Sequence, residues 1–263
     1  MGLLELTRVL KRDLELNLDL KIYKTYRELI YYIEDLIVSH GLRPAFPTTV
    51  ATDNNVSNWT PVFQDLDRPL TYKICTIDFG VLDPQDGVIT DTAITHTFDP
   101  EFKAHLQLYR RLIREIEKRV SLLYERDSSL MGTDVTEIVQ DTFRGSLFQI
   151  IPHCASHTIE RNKLHGEVIS MVTPGVKSVH LKRGTYFTIE PHVTLGPSYV
   201  WSEEGTIFMD RKTYKYETLD GRMGNFVASR RALHYPSVVA EKMSFYEEDT
   251  YYLGDTLMNL TRV

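Results

Sequence analysis

The chain has 263 residues, 42% hydrophobic and 25% charged, with a formal net charge of -6 at pH 7. This is an ordinary soluble, globular make-up, long enough to bury a sizeable core, and the negative balance argues against nucleic acid or an anionic membrane as the main partner. No apolar run could span a bilayer, Met1 to Leu20 lacks the apolar stretch of a signal peptide, and Leu6 stands where a myristoylation signal wants Ser or Thr. Cys75 and Cys154 make no disulfide framework, so a cytoplasmic location is expected.

In chain order, Met1 to Leu20 alternates apolar and charged residues. Ile22 to Ser39 then places Tyr26, Leu29, Ile30, Ile33 and Ile37 at helical spacing, and Gly41 and Pro44 end that helix. A Thr/Asn/Pro-rich loop, Pro47 to Pro61, precedes a strand from Tyr72 to Gly80. Asp83-Pro84 and Asp86-Gly87 mark a turn into a second strand, Val88 to Phe98, which completes a hairpin. Phe102 to Leu123 reads as an amphipathic helix with Leu106, Tyr109, Ile113, Ile116 and Val120 on one face. A shorter helix is predicted to start at Asp134, which with Glu137 would form a capping box. Strands dominate from Leu147 to the end. No linker divides the chain, so one domain over residues 1–263 is expected, and two successions of helix and strand hint at duplicated halves.

Six short stretches, in order, give the sequence its resemblance. They are Ala45-Phe46-Pro47-Thr48, Asn54 to Pro61, Ile77-Asp78-Phe79-Gly80 with Ile89 to Ala93, His157 to His165, Phe187-Thr188-Ile189-Glu190-Pro191, and Glu248-Asp249-Thr250. Together they resemble a divergent methionine aminopeptidase of the type 2 or archaeal style. The resemblance implies the α+β pita-bread fold, with pseudo-twofold duplicated halves around a curved antiparallel sheet. It also implies a shortened insert at about 197–235, briefer than the helical insert of typical type 2 enzymes.

The resemblance further implies a pair of divalent metal ions (Mn, Co, Fe or Zn). Asp78 is expected to chelate one ion, His157 and Glu190 to hold the other, and Asp91 and Glu248 to bridge them. Four carboxylates balance two divalent cations, whereas without cations they would repel one another. Glu190 is the expected proton carrier and His165 the hydrogen-bond donor to the substrate. The eight-residue offset of His165 from His157 suits a strand carrying both on one face. Phe46, Thr49, Asn58 and Tyr235 are the expected substrate-binding residues. Taken singly, each residue has a plainer reading. Asp78 and Asp91 could cap a hairpin, His157 and His165 could be core histidines, and Glu248 could lie in a solvated acidic turn. A register slip of one residue would exchange Glu248 for Glu247, but strand parity opposes the slip.

Three departures fall around the expected substrate cleft. Asn58 stands where the family has a substrate-contacting histidine, Thr49 where it has a very small residue, and Ser156 where it has glycine. The function implied is removal of N-terminal methionine from nascent or short peptides by a monomer, with the ribosome as a candidate partner. The alternatives are a catalytically impaired module that binds a ribosome or another protein, and a proline-directed dipeptidase.

Overall fold

Branched side chains fill the central hairpin because they lose little freedom on a pleated surface. Ile74–Leu82 lies antiparallel to Ile89–Thr97 along its whole length, with Asp78 opposite Ala93 and Gly80 opposite Asp91. Thr49–Thr52 adds to the same sheet and sets Thr49 opposite Asp78. In the turn, Asp83 Oδ1 accepts a hydrogen bond from the Gln85 N–H at 2.8 Å, and Gly87 adopts a φ of 74°. The turn lies outside the ladder, which closes at Leu82 opposite Ile89. The computed structural model describes residues 1–61, 65–172, 178–209, 215–218, 223–225 and 234–262, with the backbone alone for 204–209, 215–218, 223–225 and 234–237.

Two helices cover one face of this sheet. The opening segment, whose pattern suggested no element, is helix α1 (Leu3–Asp19). Leu3, Leu6, Leu10, Leu14 and Leu18 recur every three or four residues and are all buried, so the helical period was present. Helix α2 (Tyr26–Ser39) begins four residues later than predicted. Thr25 sets its start by accepting the Glu28 N–H at 3.2 Å, which leaves Ile22 exposed. Leu10, Leu29 and Ile33 share a buried cluster with Ile77, Phe79 and Ile94 of the hairpin.

The second half repeats the scheme. Tyr186–Ile189 runs antiparallel between Ser156–Ile159 and Asp249–Leu253, with Leu257–Asn259 beyond. Helix α3 (Pro100–Asp127) starts where Asp99 accepts the Glu101 N–H at 2.9 Å and ends at Ser128, whose φ is 54°. Helix α4 (Gly132–Phe143) starts two residues before the predicted Asp134. Asp134 lies inside its first turn and accepts the Met131 N–H at 2.7 Å, so it supplies the return bond of a cap rather than the cap itself. Tyr109, Ile113 and Val120 of α3 pack with Phe187, Ile189 and Tyr251. The expected insert carries antiparallel strands where it is described: Val200–Met209 pairs with His234–Ala240, which in turn pairs with Asn55–Ser57. Among the described residues no helix is long and apolar enough to cross a membrane.

The halves meet where Ala93 and Glu248 exchange backbone hydrogen bonds, both 3.2 Å. Helix α1 braces this junction. Lys11 Nζ donates to Asp249 Oδ1 at 2.5 Å and to the Glu248 carbonyl at 3.3 Å, and Thr261 donates to the same Asp249 oxygen at 2.8 Å. Removing one partner of a buried ion pair strands the other charge, so Lys11→Met is expected to cost about 3–5 kcal/mol. A urea unfolding curve checks this, and a loss near zero would show that the pair contributes nothing.

Candidate metal centre

The predicted residues come together. A cavity of about 310 Å³ is lined by Thr49, Asp78 and Asp91 from the first sheet and by His157, Glu190 and Glu248 from the second half. Pairing register explains this. Gly80 faces Asp91 across the hairpin, so Asp78, two residues before Gly80, is a diagonal neighbour of Asp91 on one face. Glu248, opposite Ala93, is diagonal to Asp91 from the other side. Glu247 turns away and pairs with Arg110 at 2.6 Å, which also holds Glu15 at 2.9 Å. The cavity-facing residue is therefore Glu248, as parity requires.

Three sets of donor atoms cluster within 4.8 Å: Asp78, Asp91 and Glu248; His157, Glu190 and Glu248; and Asp91, His157 and His165. His157 Nε2 lies 3.4 Å from Asp91 Oδ2 and 3.5 Å from Glu190 Oε1, and its Nδ1 lies 3.1 Å from the Thr158 carbonyl. A proton on Nδ1 would leave Nε2 with its lone pair towards the carboxylates. Thr188 Oγ1 donates to Glu190 Oε1 at 2.6 Å and orients that carboxylate.

The arrangement fits divalent cations on its own chemistry. Asp78 Oδ1, Asp91 Oδ1 and Glu248 Oε1 are buried oxygens without any hydrogen-bond partner. Burial, followed by repulsion from the other carboxylates, pushes Asp78, Glu190 and Glu248 well above the usual carboxylate range. Burial pushes Asp91 up to about 7. Burial also lowers His157 and so favours the neutral imidazole that a metal requires. Oxygen-rich donors with one imidazole suit Mn, Co, Fe and Zn, and cations would supply the charge that the cluster lacks.

The cavity wall includes Phe46, Thr49 and Asn58. Gly80 makes room for Phe46, because a Cβ at position 80 would stand 2.5 Å from the Phe46 ring. Asn58 has a φ of 58°, a left-handed conformation that asparagine and histidine both tolerate better than most residues. Tyr235 lies on His234–Ala240, but its side chain is outside the described residues.

Two expectations need correction. No strand runs from His157 to His165. The chain turns back at Asn162, whose φ is 56°, and Val168 pairs with His157. His165 therefore returns along the hairpin and meets His157 edge-on, with centroids 4.6 Å apart, and it is exposed. Ser156 does not face the substrate cleft. It is fully buried, accepts the Glu190 N–H at 3.0 Å and so supports a cavity residue from behind.

Sequence reasoning missed Tyr246 and His192, which also line the cavity. Each lies two residues from a predicted glutamate, and that offset was the available signal. The Tyr246 hydroxyl donates to Glu248 Oε2, and the His192 ring stacks on the Tyr246 ring with centroids 3.6 Å apart and planes 16° apart. Cys154 lines the cavity too, but burial pushes its thiol up to about 12 and keeps it protonated.

Comparison with known proteins adds the family context. Residues 7–219 match the profile of metallopeptidase family M24. The methionine aminopeptidase of Thermococcus kodakarensis is 28% identical over 174 residues, covering 66% of this chain and 56% of that protein. The chain thus spans little more than half the length of that relative. A methionine aminopeptidase structure from Thermotoga maritima superposes with a TM-score of 0.72 at 18% identity, over 99% of this chain and 94% of the other. A thermophilic Arx1 superposes with a TM-score of 0.67 at 13% identity, over 91% and 84%. At these identities the likeness speaks for the fold, which is the expected pita-bread architecture.

Proposed function

The chain belongs to metallopeptidase family M24, and on that premise we propose that it is a metal-dependent aminopeptidase that removes methionine from the N-terminus of nascent or short peptides. The observation that carries this reading is the set of three unpartnered carboxylate oxygens in one cavity of about 310 Å³. In this reading Asp78 would hold one cation, His157 and Glu190 would hold a second, and Asp91 and Glu248 would serve both. Divalent ions, when bound there, would supply Lewis-acid chemistry that makes a water acidic and a carbonyl electrophilic.

The chain's own residues do the rest. Glu190, oriented by Thr188 at 2.6 Å, accepts the proton of the attacking water and passes it to the leaving amine. His165, at the exposed end of the histidine pair, donates a hydrogen bond to the carbonyl oxygen as negative charge develops there. Phe46 and Thr49 shape the pocket for the methionine side chain, and Asn58 offers an amide to the peptide backbone.

The test is release of free methionine from a Met-Ala-Ser peptide, assayed in turn with Mn, Co, Fe and Zn. Turnover that Asp91→Ala abolishes is the expected result. Full metal occupancy without turnover would favour the second reading, for which Asn58 speaks: an impaired member that binds a nascent chain or the ribosome. Co-sedimentation with ribosomes that persists in Asp91→Ala would support that alternative.

A further inference from the structure

Glu248 belongs to two of the three donor clusters, so its orientation decides whether both can form. Its two oxygens differ. Oε2 accepts the Tyr246 hydroxyl, whereas Oε1 is buried without a hydrogen-bond partner. The Tyr246 hydroxyl also faces Asp78, a member of the same cluster. Tyr246 is itself held in place, because His192 lies flat on its ring with centroids 3.6 Å apart. The His192 ring is fixed in turn by its Nδ1, which donates to the Glu190 carbonyl at 3.0 Å. A continuous path therefore runs from the backbone of Glu190, through a stacked imidazole and phenol, to the carboxylate of Glu248. Both ends of the path are residues of the cavity cluster. Tyr246, His192, Glu190 and Glu248 are all buried, and low local dielectric strengthens these contacts.

We propose that Tyr246 is a positioning residue of the metal centre, which clamps Glu248 Oε2 so that Oε1 is presented to a cation, and that His192 locks Tyr246 by stacking. The proposal rests on the metal-centre reading given under the proposed function. A flexible glutamate left free would sample several rotamers, and each cation bound would then have to order it. The phenol does that ordering in advance, in the way that hydrogen-bond partners behind metal ligands generally do. Tyr246 lies outside the ligand set that the sequence implied, and it acts on the metal only through Glu248.

The test is a Mn(II) titration of full-length, chelator-treated protein at pH 7.5, followed by electron paramagnetic resonance of free Mn(II). A parallel series records the visible spectrum of the Co(II)-loaded protein. Tyr246→Phe keeps the ring and the stack but deletes the hydroxyl. It is expected to weaken Mn(II) binding about 10- to 100-fold and to change the Co(II) ligand-field bands. His192→Phe, which retains a stacked ring, is expected to weaken binding less than His192→Ala. Circular dichroism and the melting temperature of each metal-free variant establish that it is folded. Unchanged Mn(II) affinity and an unchanged Co(II) spectrum in folded Tyr246→Phe would overturn the positioning role while leaving the metal centre intact. If the wild-type chain itself takes up no Mn(II), the metal-centre reading and the proposal resting on it both fail. A lower melting temperature with unchanged affinity would mark Tyr246 as structural only, which also overturns the proposal.

Discussion

Metal-free protein is expected to melt at a higher temperature at pH 5.5 than at pH 8, and added Mn(II) or Zn(II) is expected to reverse that order. Asp91 is held at about 7 in the fold against an ordinary value of 3.8, and Asp78, Glu190 and Glu248 are also raised. Between its unfolded and folded values each of these carboxyls binds more proton in the native state. Stability is therefore greatest below the unfolded value and falls as pH rises through the folded one. For Asp91 the window runs from about pH 4 to about pH 7, and its contribution is roughly 4 kcal/mol. The other three carboxyls extend the loss upward. Cations compete with protons for the same oxygens, so their stabilising effect grows with pH over the same interval. Melting curves at several pH values, with and without metal, check both arms. A pH-independent melting temperature that metal does not move would contradict the expectation.

Asn58→His is expected to raise kcat/KM for a methionyl peptide by about 100-fold, chiefly through kcat. Asn58 lines the cavity and can hydrogen-bond, but it can neither carry a proton nor become cationic. A contact to developing negative charge is worth about 2.7–4 kcal/mol, or about 10²–10³ in rate, and a histidine that can also carry the proton or the positive charge is expected to recover the lower end of that range. The backbone accepts the change, since a φ of 58° is open to histidine as it is to asparagine. Steady-state kinetics of the metal-loaded pair of proteins measures the effect. A gain confined to KM would show that position 58 binds the ground state only, and no gain would show that some other residue limits turnover.

The strands that carry the aspartates were legible because the hairpin combines β-branched runs with Asp-Pro and Asp-Gly turn signals. Strand parity also separated Glu248 from Glu247. Helix α1 was missed because charged residues interleave its leucines and obscure a period that emerges only when every third or fourth position is followed. The relation of His165 to His157 was misread for a physical reason. An even offset implies one face only while the chain stays extended, and a left-handed residue at Asn162 folds it back. Ser156 was expected around the substrate cleft because it replaces the glycine that the resembled family has just before His157, which lines the cavity. Adjacent strand residues point to opposite sides, so that same neighbour was the reason to place Ser156 behind it. Tyr246 and His192 were not legible because each reaches the cluster through contacts that only the fold creates. Their roles depend on a stacked contact between segments 54 positions apart in sequence, which no local pattern encodes.

The central claim is that the buried acidic cluster exists to hold divalent cations, and isothermal titration of the chelator-treated chain with Mn(II) at pH 7.5 tests it most directly. Saturable uptake of about two ions per chain, lost in Asp91→Ala, is the expected result. A flat thermogram from folded wild-type protein, with no ion retained after gel filtration, would contradict it.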